Sequence, residues 1–293
     1  MAGHGAGIVV RSMRLDDAPQ LHDLARRAFS DLEKRFGAPR SVQHDSPARV
    51  ERGIARIRHL VTTDPGGAPV AERGGFLVGA SLALLRDGLW GLSLLLVDPR
   101  AQSGGLGSQL LRAALDYGSA ARGGIILASQ DARALRAYAR AGLALHPAVE
   151  GRGEPHPVAS PASVRTGGPD DLSLTETVDR AVRGAAHGPD IQALLESGAR
   201  MLVVEGRGYA MASGGELRLL AATDEPAAAD LLRAFMAGTP AGETAVVKWV
   251  TSIQGWALPV LLEARLELRL SGAVFLRGDV GPFCPYLPNG AYL

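Results

Sequence analysis

Cysteine is nearly absent from this chain: Cys284 is the single example in 293 residues. An intrachain disulfide and a thiolate metal cluster are both excluded, and a reducing compartment fits. Lysine is almost as scarce. Only Lys34 and Lys248 occur, so the 31 basic side chains are otherwise arginines, interspersed among 30 acids for a formal charge of +1. Without a block of one sign there is no nucleic-acid surface to read, and no nucleic-acid partner is expected. The seven histidines contain no H-x-x-x-H pair, which argues against a metal. No stretch reaches the roughly 18 uninterrupted apolar residues of a membrane span. The initial MAGHGAGIVV lacks a basic segment followed by an apolar run of signal-peptide length. The expectation is a cytoplasmic protein with no membrane partner.

What is present is ordinary for a globular protein: 46% hydrophobic and 21% charged residues, with 37 glycines that suit tight turns. The length exceeds the norm of about 100 to 200 residues for one domain, which points to two. Ile8 to Leu15 reads as a strand, Asp16 or Asp17 as the cap of a helix reaching Phe36, and Pro47 to Thr62 as an amphipathic helix carrying Val50, Ile54, Ile57 and Val61 at helical spacing. Strands follow at Pro69 to Glu72, Gly75 to Leu85 and Leu89 to Val97, with turn signals at Arg73-Gly74 and Asp87-Gly88. A helix starts near Gly105, then come a strand at Gly124 to Ser129, a helix at Ala132 to Ala141 and a strand from Leu143.

The chain also repeats itself. VRSMRLDD (Val10 to Asp17) returns as VRTGGPDD (Val164 to Asp171), and QLLRA (Gln109 to Ala113) as DLLRA (Asp230 to Ala234), in each case after an apolar strand, the second being Glu216 to Ala222. Two matches in the same order indicate duplication. The Pro-, Gly- and Ser-rich stretch between them has the composition of a linker, giving a first domain at 1–148, a linker at 149–163 and a second domain at 164–293.

Leu94 to Ala114 (LLLVDPRAQSGGLGSQLLRAA) runs from an apolar strand through a proline break and a glycine-rich turn into a helix. Gly104, Gly105 and Gly107 leave successive N–H groups unshielded beside the positive end of a helix, an arrangement suited to a pyrophosphate. The spacing is neither the dinucleotide fingerprint, whose third glycine is replaced by Leu110, nor a P-loop, because no G-K-[ST] follows.

The whole stretch resembles the GNAT N-acetyltransferase superfamily, whose pyrophosphate loop [QR]-x-x-G-x-[GA] follows a strand ending in V-x-P. Here Gln102-Ser103-Gly104-Gly105-Leu106-Gly107 follows Val97-Asp98-Pro99. The family's second signature, N-x-x-A-x-x-x-Y-x-x-x-G-F, is met in register by Asp131, Ala134, Tyr138, Gly142 and Leu143, with Asp131 replacing the asparagine and Leu143 the aromatic. The resemblance covers residues 8 to 150.

It implies an α/β (α+β) fold of two GNAT-like domains, each a mixed, mostly antiparallel sheet flanked by helices and splayed between its fourth and fifth strands. Acetyl-CoA is the implied cosubstrate. Its pantetheine arm would lie along Leu95, Leu96 and Val97, its pyrophosphate on Gln102, Ser103, Gly104, Gly105, Leu106, Gly107 and Ser108, with Asp131, Ala134 and Tyr138 completing the site. Tyr138 is the implied acid for the departing thiolate, against the alternative of an aromatic that only packs. Ser93, the polar side chain of its strand, would hold a water, and Asp31, Glu33 and Asp45 are candidates for the base. The implied activity is transfer of acetyl to a primary amine of a small molecule by direct attack on the thioester, in a monomer or weak homodimer. A non-catalytic acyl-CoA sensor or sequestering protein and a protein or peptide N-acetyltransferase are the alternatives.

In the second half the same alignment places Thr223, Pro226 and Ala228 where Gln102, Gly105 and Gly107 stand, and Gln254, Ala257, Leu261, Arg265 and Leu266 on the second signature. Proline removes an N–H and alanine adds a Cβ, so this copy is expected to be degenerate and to bind no CoA. Trp249, Ile253, Trp256 and Val260 are spaced as one buried helical face. The apolar GPFCPYLPNGAYL at 281–293 is expected to be docked rather than loose, with Tyr286, Tyr292 or the final carboxylate alternatively reaching the acceptor cleft.

Overall fold

The computed structural model describes residues 7–36, 46–102 and 104–293; Asp45 and Ser103 lie outside them. By its contacts the chain divides into two compact units, 1–85 with 90–121 and 86–89 with 122–293.

In the first unit β1 (Val9–Ser12), α1 (Ala18–Phe36), α2 (Pro47–Thr63), β2 (Pro69–Arg73), β3 (Phe76–Arg86), β4 (Leu89–Val97) and α3 (Leu106–Tyr117) follow in order, and the strands lie as β1-β2-β3-β4. Helix α1 buries Ala18, Leu21, Leu24 and Ala25. Helix α2 starts at a Ser46 cap with Pro47 in its first turn and buries Ile57, Leu60 and Val61. Strands β3 and β4 are covered on both faces, which explains their continuous apolar runs. The Asp87-Gly88 turn between them has φ of 45° and 75°, the positive pair that a tight primed hairpin requires.

The second unit contains β5 (Gly123–Ala128), α4 (Ala132–Arg140), β6 (Ala144–Gly153), β7 (Val164–Gly167), α5 (Leu172–Arg183), α6 (Pro189–Glu196), β8 (Arg200–Val204), β9 (Gly208–Ser213), β10 (Glu216–Ala222), α7 (Glu225–Ala237), β11 (Ala245–Val250), α8 (Ala257–Glu263), β12 (Glu267–Gly278) and β13 (Tyr286–Leu287). Its strand order is β5-β12-β6-β11-β10-β9-β8-β7, with β13 on β10. The fold is thus mixed α/β with largely antiparallel sheet; β10 and β11 run parallel.

Elements from β1 to β6 recur in the same order from β7 to β12, so the duplication is one of fold as well as of sequence. The last strands are exchanged. β12 lies between β5 and β6, and β6 between β12 and β11, all antiparallel. Each copy's sixth strand therefore lies beside the fifth strand of the other.

The repeated VR…DD pattern has a structural cause. Arg11 donates to both carboxylate oxygens of Asp17, at 2.7 and 2.9 Å, and to Glu72 at 2.8 Å, while Asp17 accepts the Arg14 N–H. Arg165 does the same to Asp171, at 3.1 and 2.6 Å, and to Glu205 at 2.7 Å, with Asp171 accepting the Gly168 N–H. Each clip fixes the turn from the first strand into the first helix by a bidentate pair. Side-chain hydrogen bonds from the arginines hold both aspartates below the usual carboxylate range.

Two expectations are corrected. Residues 149–153, assigned to the linker, are strand: β6 reaches Gly153 because its backbone is paired on both sides. Trp249, Ile253, Trp256 and Val260 do not share a helix; Trp249 is on β11 at φ 64°, Ile253 in a 3-10 turn, and α8 begins only at Ala257. Pairing with β6 overrides the seven-residue spacing.

Candidate functional site

The residues singled out by the sequence fall in both units. In the first, Leu95, Leu96 and Val97 form the end of β4. The chain leaves the strand at Asp98, whose N–H bonds the Val78 carbonyl at 2.8 Å and whose carboxylate accepts the Arg100 N–H at 2.9 Å. Arg100, followed by burial acting in the opposite sense, leaves the Asp98 carboxyl below its ordinary value. Gln102 folds back and donates from Nε2 to the Val97 carbonyl at 3.2 Å.

The turn then opens. Gly105, at φ 77°, is the N-cap of α3 and offers no side-chain cap. A Cβ built on Gly104 or Gly105 would meet nothing within 4 Å, and one on Gly107 only Val97 Cγ2 at 3.7 Å. Gly107 and Ser108 occupy the first turn, and Leu106, 5% exposed, anchors that turn in a cluster with Ala71 and Leu110. Uncapped N–H groups beside open space, at the positive end of a helix, are an arrangement that suits an anion. Ser93, on β4, has its Oγ buried without a hydrogen-bond partner, a group that gains from a water or ligand donor or acceptor. Asp31 and Glu33 are partly exposed on α1.

In the second unit Asp131 caps α4, accepting the Arg133 N–H at 2.9 Å. Ala134 is partly exposed on the same helix, and Tyr138 is its buried residue. Burial, and then the negative charge of Asp131, push the Tyr138 phenol well above the ordinary tyrosine range, so Oη keeps its proton. The helix ends on Gly142 at φ 84°, and the Leu143 N–H bonds the Tyr138 carbonyl. Glycine in the family signature supplies this left-handed stop.

The counterpart positions repeat the frame and lack the openings. Arg265 has φ 57° and the Leu266 N–H bonds the Leu261 carbonyl at 3.0 Å, which verifies the alignment of the two signatures. Helix α7 starts earlier relative to its DLLRA than α3 does to its QLLRA, and Asp224 caps it by accepting the Ala227 N–H at 2.9 Å. Asp224 is itself paired with Arg207. Alongside, β13 adds to β10, pairing Leu287 with Leu220 and Tyr286 with Ala221, and the Ala222 N–H bonds the Pro285 carbonyl at 3.1 Å.

The docked segment 281–293 belongs to this second copy. Tyr286 donates to the Leu293 carbonyl at 2.8 Å, beside a fully buried His187 held by Asp179 at 2.7 Å. The capping role of Asp224 was legible, since T-D-E-P is a helix-start pattern. The strand addition was not, because a two-residue pairing leaves no periodic trace.

Residues 19–143 match the acetyltransferase (GNAT) family. No curated protein matches the chain in sequence. Among solved structures, a putative acetyltransferase from Pyrococcus horikoshii is similar over 100% of this chain and 96% of its own, with TM-score 0.73 and 17% identity. A GCN5-related N-acetyltransferase from Sphaerobacter thermophilus is similar over 93% and 96%, at TM-score 0.59 and 14% identity. A tandem GNAT protein from the clavulanic acid biosynthesis pathway is similar over 93% and 99%, at 0.59 and 13%. At these identities the likeness is one of fold. Residues 19–143 thus carry the acetyltransferase (GNAT) domain, and the order of elements from β1 to β6 recurs from β7 to β12. No helix among the described residues is long and apolar enough to cross a membrane.

Proposed function

We propose that this protein is an acetyl-CoA-dependent N-acetyltransferase that acts on a primary amine of a small molecule and holds one cosubstrate per chain. The uncapped, open glycine N-terminus of α3 carries the reading. Gly104 to Ser108 would hold the pyrophosphate through backbone N–H groups, and Leu95 to Val97 the pantetheine amides as an added strand does. Acetyl-CoA, when bound, supplies the activated acetyl thioester. Tyr138 Oη keeps a proton through the working pH range and is, by its place in the family signature, the donor to the departing thiolate, a role typically worth about 10² to 10⁴ in rate. Ser93 Oγ, buried and unpartnered, suits a water that relays the amine proton toward a base.

In the second copy the Asp224 carboxylate supplies the anion at the helix start and β13 the added strand. Both devices that would take a cosubstrate are thus met from within the chain, which supports a single site.

The test is calorimetry of the full chain with acetyl-CoA, combined with coenzyme A thiol release across small primary amines and peptides, for wild type and Tyr138→Phe. The expected result is one acetyl-CoA bound per chain, release with a small amine, and kcat lowered by about 100-fold or more in the variant with binding retained. Two bound per chain removes the single-site claim. Release with peptides alone, or binding without release on any amine, replaces the activity with one of the two alternatives.

A further inference from the structure

Strand β12 reaches α4 from the other copy. Phe275, fully buried on β12, lies opposite Ile126 of β5 and Leu145 of β6. Its ring meets that of Tyr138 edge to face, with centroids 5.5 Å apart and planes at 77°. Tyr138 is the residue through which α4 is buried, so this contact sets how the nine-residue helix sits on the sheet.

A core phenylalanine needs no function, and the second copy separates the two explanations. The exchange is reciprocal: Phe275 opposite Leu145 corresponds to Gly151 opposite Leu268. Leu261, the counterpart of Tyr138, faces that glycine, where an added Cβ would lie 3.0 Å from Leu261 Cδ1. The fold therefore closes at this position with leucine on glycine. The two rings occur together where the second signature keeps its tyrosine, and neither occurs at the counterpart position.

We infer that Phe275, delivered by the degenerate copy, is a positioning residue for Tyr138, fixing its ring and keeping water from its phenol; this rests on the reading of Tyr138 as the proton donor. Quadrupole geometry favours this edge-to-face contact over an eclipsed face-to-face one. A β-bulge between Leu270 and Gly272 shifts the β12 register by one, and with it the face on which Phe275 stands. The second copy is then part of the working site as well as a support.

The test uses the full chain with tyrosines labelled at the ring carbon that bears the hydroxyl, followed by NMR across alkaline pH. The Tyr138 resonance is assigned by its loss in Tyr138→Phe. In Phe275→Leu, and in Phe275→Ala if it folds, Tyr138 is expected to titrate about one pH unit or more below wild type, because admitted water stabilises the phenolate. In turnover, kcat should fall about tenfold with KM for acetyl-CoA within about twofold, and the alkaline limb of kcat should move the same way. An unchanged Tyr138 titration in folded Phe275→Leu overturns the inference and leaves the reading of Tyr138 standing. Full kcat in Tyr138→Phe overturns that reading, and the inference with it.

Discussion

Helices α3 and α7 occupy the same place in the two copies, each following the fourth strand of its set, yet their first turns are built in opposite ways. Helix α3 begins at a glycine with positive φ, and no side chain of its own caps it. Helix α7 begins at an aspartate whose carboxylate caps the first turn, and it buries Ala227 and Ala228 completely. A helix N-terminus has unsatisfied donors and a positive potential wherever it occurs. In one copy no side chain of the helix start meets that demand; in the other Asp224 does. In the second copy a carboxylate of the chain caps this turn and a strand of the chain lies on β10.

The device of one copy can be moved into the other. Gly104→Asp places a carboxylate beside the open turn, where a Cβ meets no neighbour within 4 Å, so folding should be unaffected. Acetyl-CoA affinity should drop about 100-fold, equivalent to ~2.7 kcal/mol. Calorimetry together with a melting curve checks this, and unchanged affinity would show that the turn does not face the ligand. The reverse change, Asp224→Ala, removes the internal anion from α7. Its expected cost is about 1 kcal/mol of stability, the usual worth of a cap, with no second acetyl-CoA site gained because β13 still lies on β10. Denaturant unfolding measures the first part and binding stoichiometry the second.

The smallest effect concerns what the copies share. Asp17 and Asp171 both have carboxyls depressed by their arginine clips, so each contributes stability that is present above the unfolded carboxylate value of about 3.9 and lost as pH falls through the folded one. Asp17→Asn and Asp171→Asn should each flatten the loss of stability as pH falls below about 4, by small and similar amounts, since both pairs are partly exposed. Unfolding at pH 7 and pH 3 tests the pair; a large effect in one copy alone would mean that the clips are not equivalent.

Much of the first copy was legible because its signals are local. Leu89–Val97 was delimited correctly by its apolar run and the Asp87-Gly88 turn, and the positions of Asp131, Tyr138 and Gly142 fell on a helix, its cap and its stop, as their spacing required. The Arg11–Asp17 repeat was visible as a pattern, whereas its role as a clip needed Glu72, 61 residues away from Arg11. The helix read through Trp249 and Trp256 failed because a spacing of seven is compatible with a strand, a turn and a short helix in succession. Phe275 carried no signal at all. Nothing in a strand's own sequence names its partner.

Sequence alone carries the local devices: an open glycine turn in one half, its replacement at Thr223, Pro226 and Ala228 in the other, and the repeated VR…DD and LLRA patterns. These depend on backbone freedom, helix caps and hydrophobic period, which act over a few residues. Long-range packing adds that β6 and β12 change places, that β13 lies on β10, and that Tyr138 leans on a ring from the other copy. Those outcomes are set by strand pairing and burial between segments more than sixty residues apart, where many partners satisfy the same alternation and packing selects one.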